Sequence, residues 1–297
     1  MINRVVAEDV VEQSKQVLEI ISAEGVAIIP LDVAYAIVGN SKKSIETIFR
    51  CKNRSFEKPS GMFSNYELLK EIQIIDAWKH EIIKAVIFDN NLPMSTVAPF
   101  RRDHPMFKNV DSWVLKNSTK IGTLDMLLNA GKFHNEMTKQ SIKLEMPVLG
   151  SSANTSLTGS KYNLDDIDAP VINAADILID GGTSKYKNER GRSSTIIDFG
   201  NFETIRIGVC YDEIRKIFSK FDDLSVRYGI EKIKTIGDNY FSVSGLNHNP
   251  QDSAVNLVNM AIDMIDTIKK INSELKIMDL NIRIGIRISK GRIIVLF

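Results

Sequence analysis

The stretch Gly25-Val26-Ala27-Ile28-Ile29-Pro30 sets the architecture of this chain. Four consecutive apolar residues bounded by glycine and proline predict a short buried strand. On its N-terminal side Val10, Val11, Val17, Leu18 and Ile21 recur at helical spacing. On the other side the polar turn Gly39-Asn40-Ser41 opens a second helix around Ser44 to Arg50. Helix, strand, loop and helix in alternation predict an α/β sheet. Apolar runs at Val148-Leu149, Val171 to Ile179, Ser194 to Phe199 and Thr204 to Val209 extend it. One continuous α/β domain is expected over residues 1–218.

After Phe218 the pattern changes. Ala254, Leu257, Val258, Ala261, Ile262, Ile265 and Ile268 mark one stripe of a long helix from Ser253 to Leu275. It lies between strand-like Tyr240 to Ser244 and Leu280 to Ile286, so residues 219–297 are expected to form a smaller α+β unit. The final Ile293-Ile294-Val295-Leu296-Phe297 reads as an uncovered apolar strand, and an incomplete unit is expected.

Composition narrows the function classes. With 43% hydrophobic and 25% charged residues over 297 positions, disordered, collagen-like and disulfide-scaffold classes are excluded. Lys and Arg number 38 against 37 Asp and Glu, so no whole-protein field draws the chain to nucleic acid or anionic lipid. Any polyanion site must be local. Cys51 and Cys210 offer no metal spacing and are expected to be plain thiols. The acidic N-terminus predicts no leader, and the longest apolar runs fall far short of the roughly 20 residues a membrane helix needs. A cytoplasmic protein without a membrane partner is expected.

The densest chemistry lies between Lys42 and Lys58, where Lys42, Lys43, Arg50, Lys52, Arg54 and Lys58 place six cations in 17 positions. A solvated helix face is the plain alternative, but Lys52-x-Arg54 and Lys58-Pro59 fall on the segment leaving the helix, where a fixed loop can hold phosphate oxygens. Gly150-Ser151-Ser152-Ala153-Asn154 follows the apolar Pro147-Val148-Leu149, placing small hydroxyls and an amide at a strand end where α/β sheets bind ligands. Gly191-Arg192-Ser193-Ser194-Thr195 repeats that pattern before Ile196. The three loops are expected to converge on one cleft.

In their order, Pro30-Leu31-Asp32-Val33-Ala34-Tyr35, Lys52-Asn53-Arg54 with Lys58-Pro59, Ser152-Ala153-Asn154, Ser194-Thr195 and Arg206-Ile207-Gly208 resemble the threonylcarbamoyl-AMP synthase family, the YrdC-type domain. The resemblance covers about residues 10–218. It implies an open twisted mixed sheet around a positively charged cavity that takes ATP, with Mg2+, L-threonine and bicarbonate, and makes threonylcarbamoyl-adenylate for a tRNA modification. By the same resemblance Lys52 and Arg54 are the catalytic cations. Asp32, Tyr35, Lys58, Ser152, Asn154, Ser194 and Arg206 are then the ATP- and substrate-binding residues. The chain departs from the family where a proline-threonine-acid-threonine run is replaced by Pro30-Leu31-Asp32-Val33, and where an arginine-x-proline segment corresponds to Leu124-Asp125-Met126. These changes imply an altered second substrate. The alternative is a non-catalytic nucleotide- or double-stranded-RNA-binding protein. The loop from Ser184 to Arg192 is assigned, in order, to a lid, a surface loop and an RNA contact.

Phe221-Asp222-Asp223-Leu224, Glu231 to Tyr240 and Ser242-Val243-Ser244-Gly245-Leu246 are similar to the class III adenylate/guanylate cyclase catalytic domain. That resemblance implies a ferredoxin-like unit working as a dimer, with Asp238 matching a metal-binding aspartate and Lys234 the position that favours adenine. The second metal aspartate and the distal helix have no counterpart, so a cyclase half-domain needing a partner chain is the further alternative. Independent cyclase activity is not expected, because one carboxylate does not hold two metal ions. His80, His104, His134 and His248 share no metal-binding spacing and are expected at the surface or in the core.

Overall fold

The computed structural model describes residues 3–55, 57–201, 203–209, 211, 223, 226–236, 239–244, 250–275 and 284. The chain divides into two compact units, one of Met1–His80, Leu92–Asn201 and Ile205–Val209, the other of Glu81–Asn91, Phe202–Thr204 and Cys210–Phe297.

The first unit is built on a large mixed sheet. Its strands lie in the spatial order Asn3–Val6, Ile177–Asp180, Ala27–Ile29, Ala36–Gly39, Val148–Ser152, Gly61–Phe63, Thr123–Leu128, Met94–Pro99, Ile196–Asp198 and Glu203–Arg206, with Thr119–Lys120 paired to Thr123–Leu128. Ala27–Ile29 is parallel to Ile177–Asp180 and antiparallel to Ala36–Gly39, so the sheet is mixed from its first turns. Ala27, Ile28 and Ile29 are fully buried, as a strand covered on both faces requires. The helix Val10–Ser22 is capped by Asp9, whose carboxylate accepts the Glu12 amide, and buries Val17, Leu18 and Ile21. Lys42–Cys51 starts at a capping box in which Ser41 and Ser44 satisfy each other's amides.

The run from Val171 to Ile179 differs from one continuous strand. Ala169–Ile172 is a short helix, and Ile177–Asp180 alone joins the sheet. Pro170 sits in the helix's first turn, and Asn173 to Asp176 separate the two elements.

In the second unit Glu231–Ile236 and Asn239–Val243 form an antiparallel pair, and the helix spans Pro250–Leu275. Leu257, Met260, Ala261, Met264, Ile268 and Ile271 form its buried stripe, whereas Val258, Ile262 and Ile265 lie on the exposed side. The sequence pattern merged two neighbouring stripes into one. Leu280 to Ile286, Ile284 aside, and Ile293 to Phe297 lie outside the described residues.

Gly150 is held between two neighbours, paired to Val38 on one side and Gly61 on the other. A methyl group there would collide with the Ile37 carbonyl and come 2.9 Å from Val38 Cγ1. In a central strand neither backbone can move away. Gly150→Ala is expected to cost about 2–3 kcal/mol, read as a lowered urea midpoint at unchanged slope.

Candidate functional site: a cationic cleft at the strand ends

The site begins where a helix stops. Asn53 adopts a left-handed conformation, φ 48°, just after the helix Lys42–Cys51. The Asn53 amide then bonds the Arg50 carbonyl at 3.1 Å and the Arg54 amide bonds that of Phe49 at 2.9 Å, which is a Schellman ending. Asparagine tolerates this conformation better than most side chains. The ending sets Lys52 and Arg54 in the wall of a single cavity of about 930 Å3.

Lys52 is 1% exposed. Its ammonium donates to the carbonyl of Ser152 and, at 2.6 Å, to that of Asn154. The Ser156 amide returns a bond to the Lys52 carbonyl at 2.8 Å. Burial first, then the neighbouring Arg54, pull the lysine pKa down to about 7, while its two carbonyl acceptors favour the charged form.

Arg54 directs Nε to the Lys58 carbonyl at 2.9 Å and Nη2 to that of Pro59 at 2.7 Å. Arg206 donates through Nε and Nη2 to the Ser194 carbonyl at 3.0 and 2.7 Å, and through Nη2 to Ser194 Oγ at 2.9 Å. Burial lowers the pKa of both guanidiniums, Arg54 further through Arg206. Ser152 Oγ donates to Asn154 Oδ1 at 2.5 Å. Lys58, Ser152, Asn154, Ser194 and Arg206 line the same cavity as Lys52 and Arg54.

Other residues named from the sequence sit differently. Asp32 is absent from the cavity lining, and its carboxylate occupies the space a Gly131 side chain would fill. Burial raises its pKa against the pull of Lys185 and Lys132. Tyr35 lines the cavity, but its hydroxyl donates to the Gly182 carbonyl at 2.8 Å and accepts the Gly181 amide at 3.0 Å. It is a strut between two strand ends. Lys234 lies in the strand Glu231–Ile236 of the second unit, and Asp238 lies outside the described residues. Cys51 is a free thiol that burial pushes up to about pKa 11, which leaves it unreactive. His134 is wholly buried, and burial lowers its pKa to about 4, so it is a neutral core histidine.

Residues 19–208 match the family model of Sua5, YciO and YrdC, described as telomere recombination, over more than half of the chain. The chain belongs to the Sua5/YciO/YrdC family. Solved structures of this fold include P. abyssi Sua5 complexed with L-threonine, with a TM-score of 0.55, 19% identity, and coverage of 73% of this chain and 60% of that one. E. coli YciO gives a TM-score of 0.53 at 18% identity, covering 70% of this chain and 95% of that one. Residues 194–295 match the adenylate and guanylate cyclase catalytic domain. There the chain is 39% identical over 79 residues to guanylate cyclase alpha of Plasmodium falciparum and 39% over 84 residues to a membrane guanylyl cyclase of Dictyostelium discoideum. Those matches take in 25% and 28% of this chain but only 2% and 6% of the two cyclases. Among the described residues no helix is long and apolar enough to cross a membrane.

This Sua5/YciO/YrdC chain carries site residues that sequence reasoning missed. In Thr123–Leu128 burial alternates, so Leu124, Met126 and Leu128 enter the core while Thr123, Asp125 and Leu127 line the cavity. Asp125, not Leu124, is therefore the residue this segment presents to the cleft. Its Oδ1 is buried without a hydrogen-bond partner. Burial pushes its pKa up to about 6, against the pull of Arg206, a hydrogen bond with Ser95, and Arg54. A lone acid in an alternating apolar strand was the available signal.

A carboxyl whose pKa is raised on folding favours the fold below its unfolded value near pH 4 and loses that contribution as pH rises through about 6. Asp125→Asn is therefore expected to stabilise the protein by about 3 kcal/mol at pH 7.5, with the gain gone near pH 4. Denaturant unfolding at both pH values measures it.

Proposed function

We propose that the first unit is a nucleotidyltransferase of threonylcarbamoyl-AMP synthase type, joining ATP, bicarbonate and an amino acid into a carbamoyl-adenylate with release of pyrophosphate. The observation that carries this reading is the convergence of Lys52, Arg54 and Arg206 with Ser152, Asn154 and Ser194 on one cavity. In such a reaction a carbamate oxygen attacks the α-phosphorus and pyrophosphate departs. Two anions must approach each other, so the rate depends on positioning and on neutralised charge. Arg54 and Arg206 supply fixed positive charge, and Lys52 fixes the strand-end loop against which the phosphates rest. Among the described residues no group of three His, Cys, Asp or Glu side chains gathers to hold a metal. Mg2+ would therefore enter on the phosphate oxygens of ATP. Transfer of the product to tRNA in the cytoplasm completes this reading.

The apolar wall of Leu31 and Val33 favours a second reading, a nucleotide- or double-stranded-RNA-binding protein without turnover. The cyclase match at residues 194–295 favours a third, a half-domain that forms cyclic nucleotide only with a complementary chain.

Pyrophosphate release with ATP, bicarbonate and a panel of amino acids tests the first reading. Release that requires all three components is expected, with Arg54→Ala about 100-fold slower. ATP binding without amino-acid-dependent release would leave the binding protein. Cyclic nucleotide from a mixture with a complementary cyclase chain, lost in Asp238→Ala, would support the third reading.

A further inference from the structure

One group in the cleft has no part in gripping a polyanion. Asp125 lies among Arg54, Arg206 and Ser95, and as a carboxylate it opposes phosphate binding. Arg54 and Arg206 attract it, while their own N–H donors go to the carbonyls of Lys58, Pro59 and Ser194. Asp125 Oδ1 keeps no hydrogen-bond partner, and neither does Ser151 Oγ, which lines the same cavity. Gly61 leaves room beside the acid, where even a methyl group would come 3.3 Å from Oδ2.

The unpartnered carboxylate oxygen of Asp125 calls for a donor. A primary ammonium has three N–H groups and matches a carboxylate by a charge-assisted hydrogen bond. Leu31 and Val33, both nearly wholly buried, line this cavity together with the hydroxyl-bearing Ser95, Thr123 and Ser151, so its wall takes apolar and polar parts of a ligand.

We propose that Asp125 receives the ammonium group of the amino-acid substrate. This rests on the reading of the cleft given above. The positive groups at Arg54 and Arg206 then take the anionic parts of both ligands, and Asp125 fixes which end of a zwitterion faces inward.

Calorimetric titration of the full chain at pH 7.5, with and without saturating ATP, tests this with L-valine, L-threonine and N-acetyl-L-valine. L-Valine and L-threonine should both bind, and N-acetyl-L-valine about tenfold or more weakly than L-valine. Asp125→Asn should lose about tenfold for L-valine while ATP binding is kept or tightened, which also reports a folded cleft. Equal binding of L-valine and its N-acetyl form to the wild type, unchanged L-valine binding in Asp125→Asn, or no binding of either amino acid overturns the proposal. Failure of ATP to bind while L-valine still discriminates would instead remove the nucleotidyltransferase reading and leave the ammonium site.

Discussion

A buried lysine ammonium ties the cleft together. Lys52 ends one helix, and its Nζ reaches the carbonyls of Ser152 and Asn154 a hundred residues later, while the Ser156 amide closes the ring on the Lys52 carbonyl. Moving an ammonium out of water costs several kcal/mol, and it is tolerated here because strong acceptors meet it. The C-terminal end of a helix adds a favourable negative potential. Separating helix from loop would strand a buried charge and two carbonyls together. Asn154 and Ser152 also bond each other, so both polar side chains of this strand end take their place from that tie.

The same cavity shows how a nearly neutral chain builds a local field. Lys52, Arg54, Lys58, Lys120 and Arg206 line it against Glu57, Asp125 and Asp198, while the whole chain carries only +1. Charges held away from bulk water interact more strongly than exposed ones. Asp125 moderates this field at its centre. Its raised pKa records the cost of keeping it there, and a cost retained inside a cleft points to a ligand more than to the fold.

What the sequence could and could not show follows from period and face. Val26 to Ile29 was legible because glycine and proline bracket an apolar run, and Lys52-x-Arg54 because two cations just past a helix have few structural uses. Asn53 completes that motif, for its left-handed turn sends the flanking side chains into the cleft. The run from Val171 to Ile179 was misread because apolar content alone does not separate a helical turn from a strand. Asp125 was missed for a subtler reason. Leu124 and Asp125 are adjacent, and only the sheet's layering decides which of two alternating faces meets the cavity. Asp32 has the reverse history, a conspicuous acid beside Tyr35 whose side chain fills the space at Gly131 instead.

The two family matches overlap at residues 194–208, and strand pairing decides what that segment does structurally. Ile196–Asp198 runs parallel to Met94–Pro99, in register from Ile196 opposite Ser95. The Val209 amide bonds the Ser193 carbonyl at 2.8 Å, and Gly208 packs so closely on Ser194 and Thr195 that a side chain there has no space. Ser194 and Arg206 are thereby fixed to each other before the second unit's own hairpin begins at Glu231. A guanidinium held by three bonds to one serine keeps its position only while that short turn stays intact. The cleft of the first unit thus depends on residues at the very edge of the segment similar to cyclases, and a change of backbone there would displace Arg206 together with the strand end that carries it.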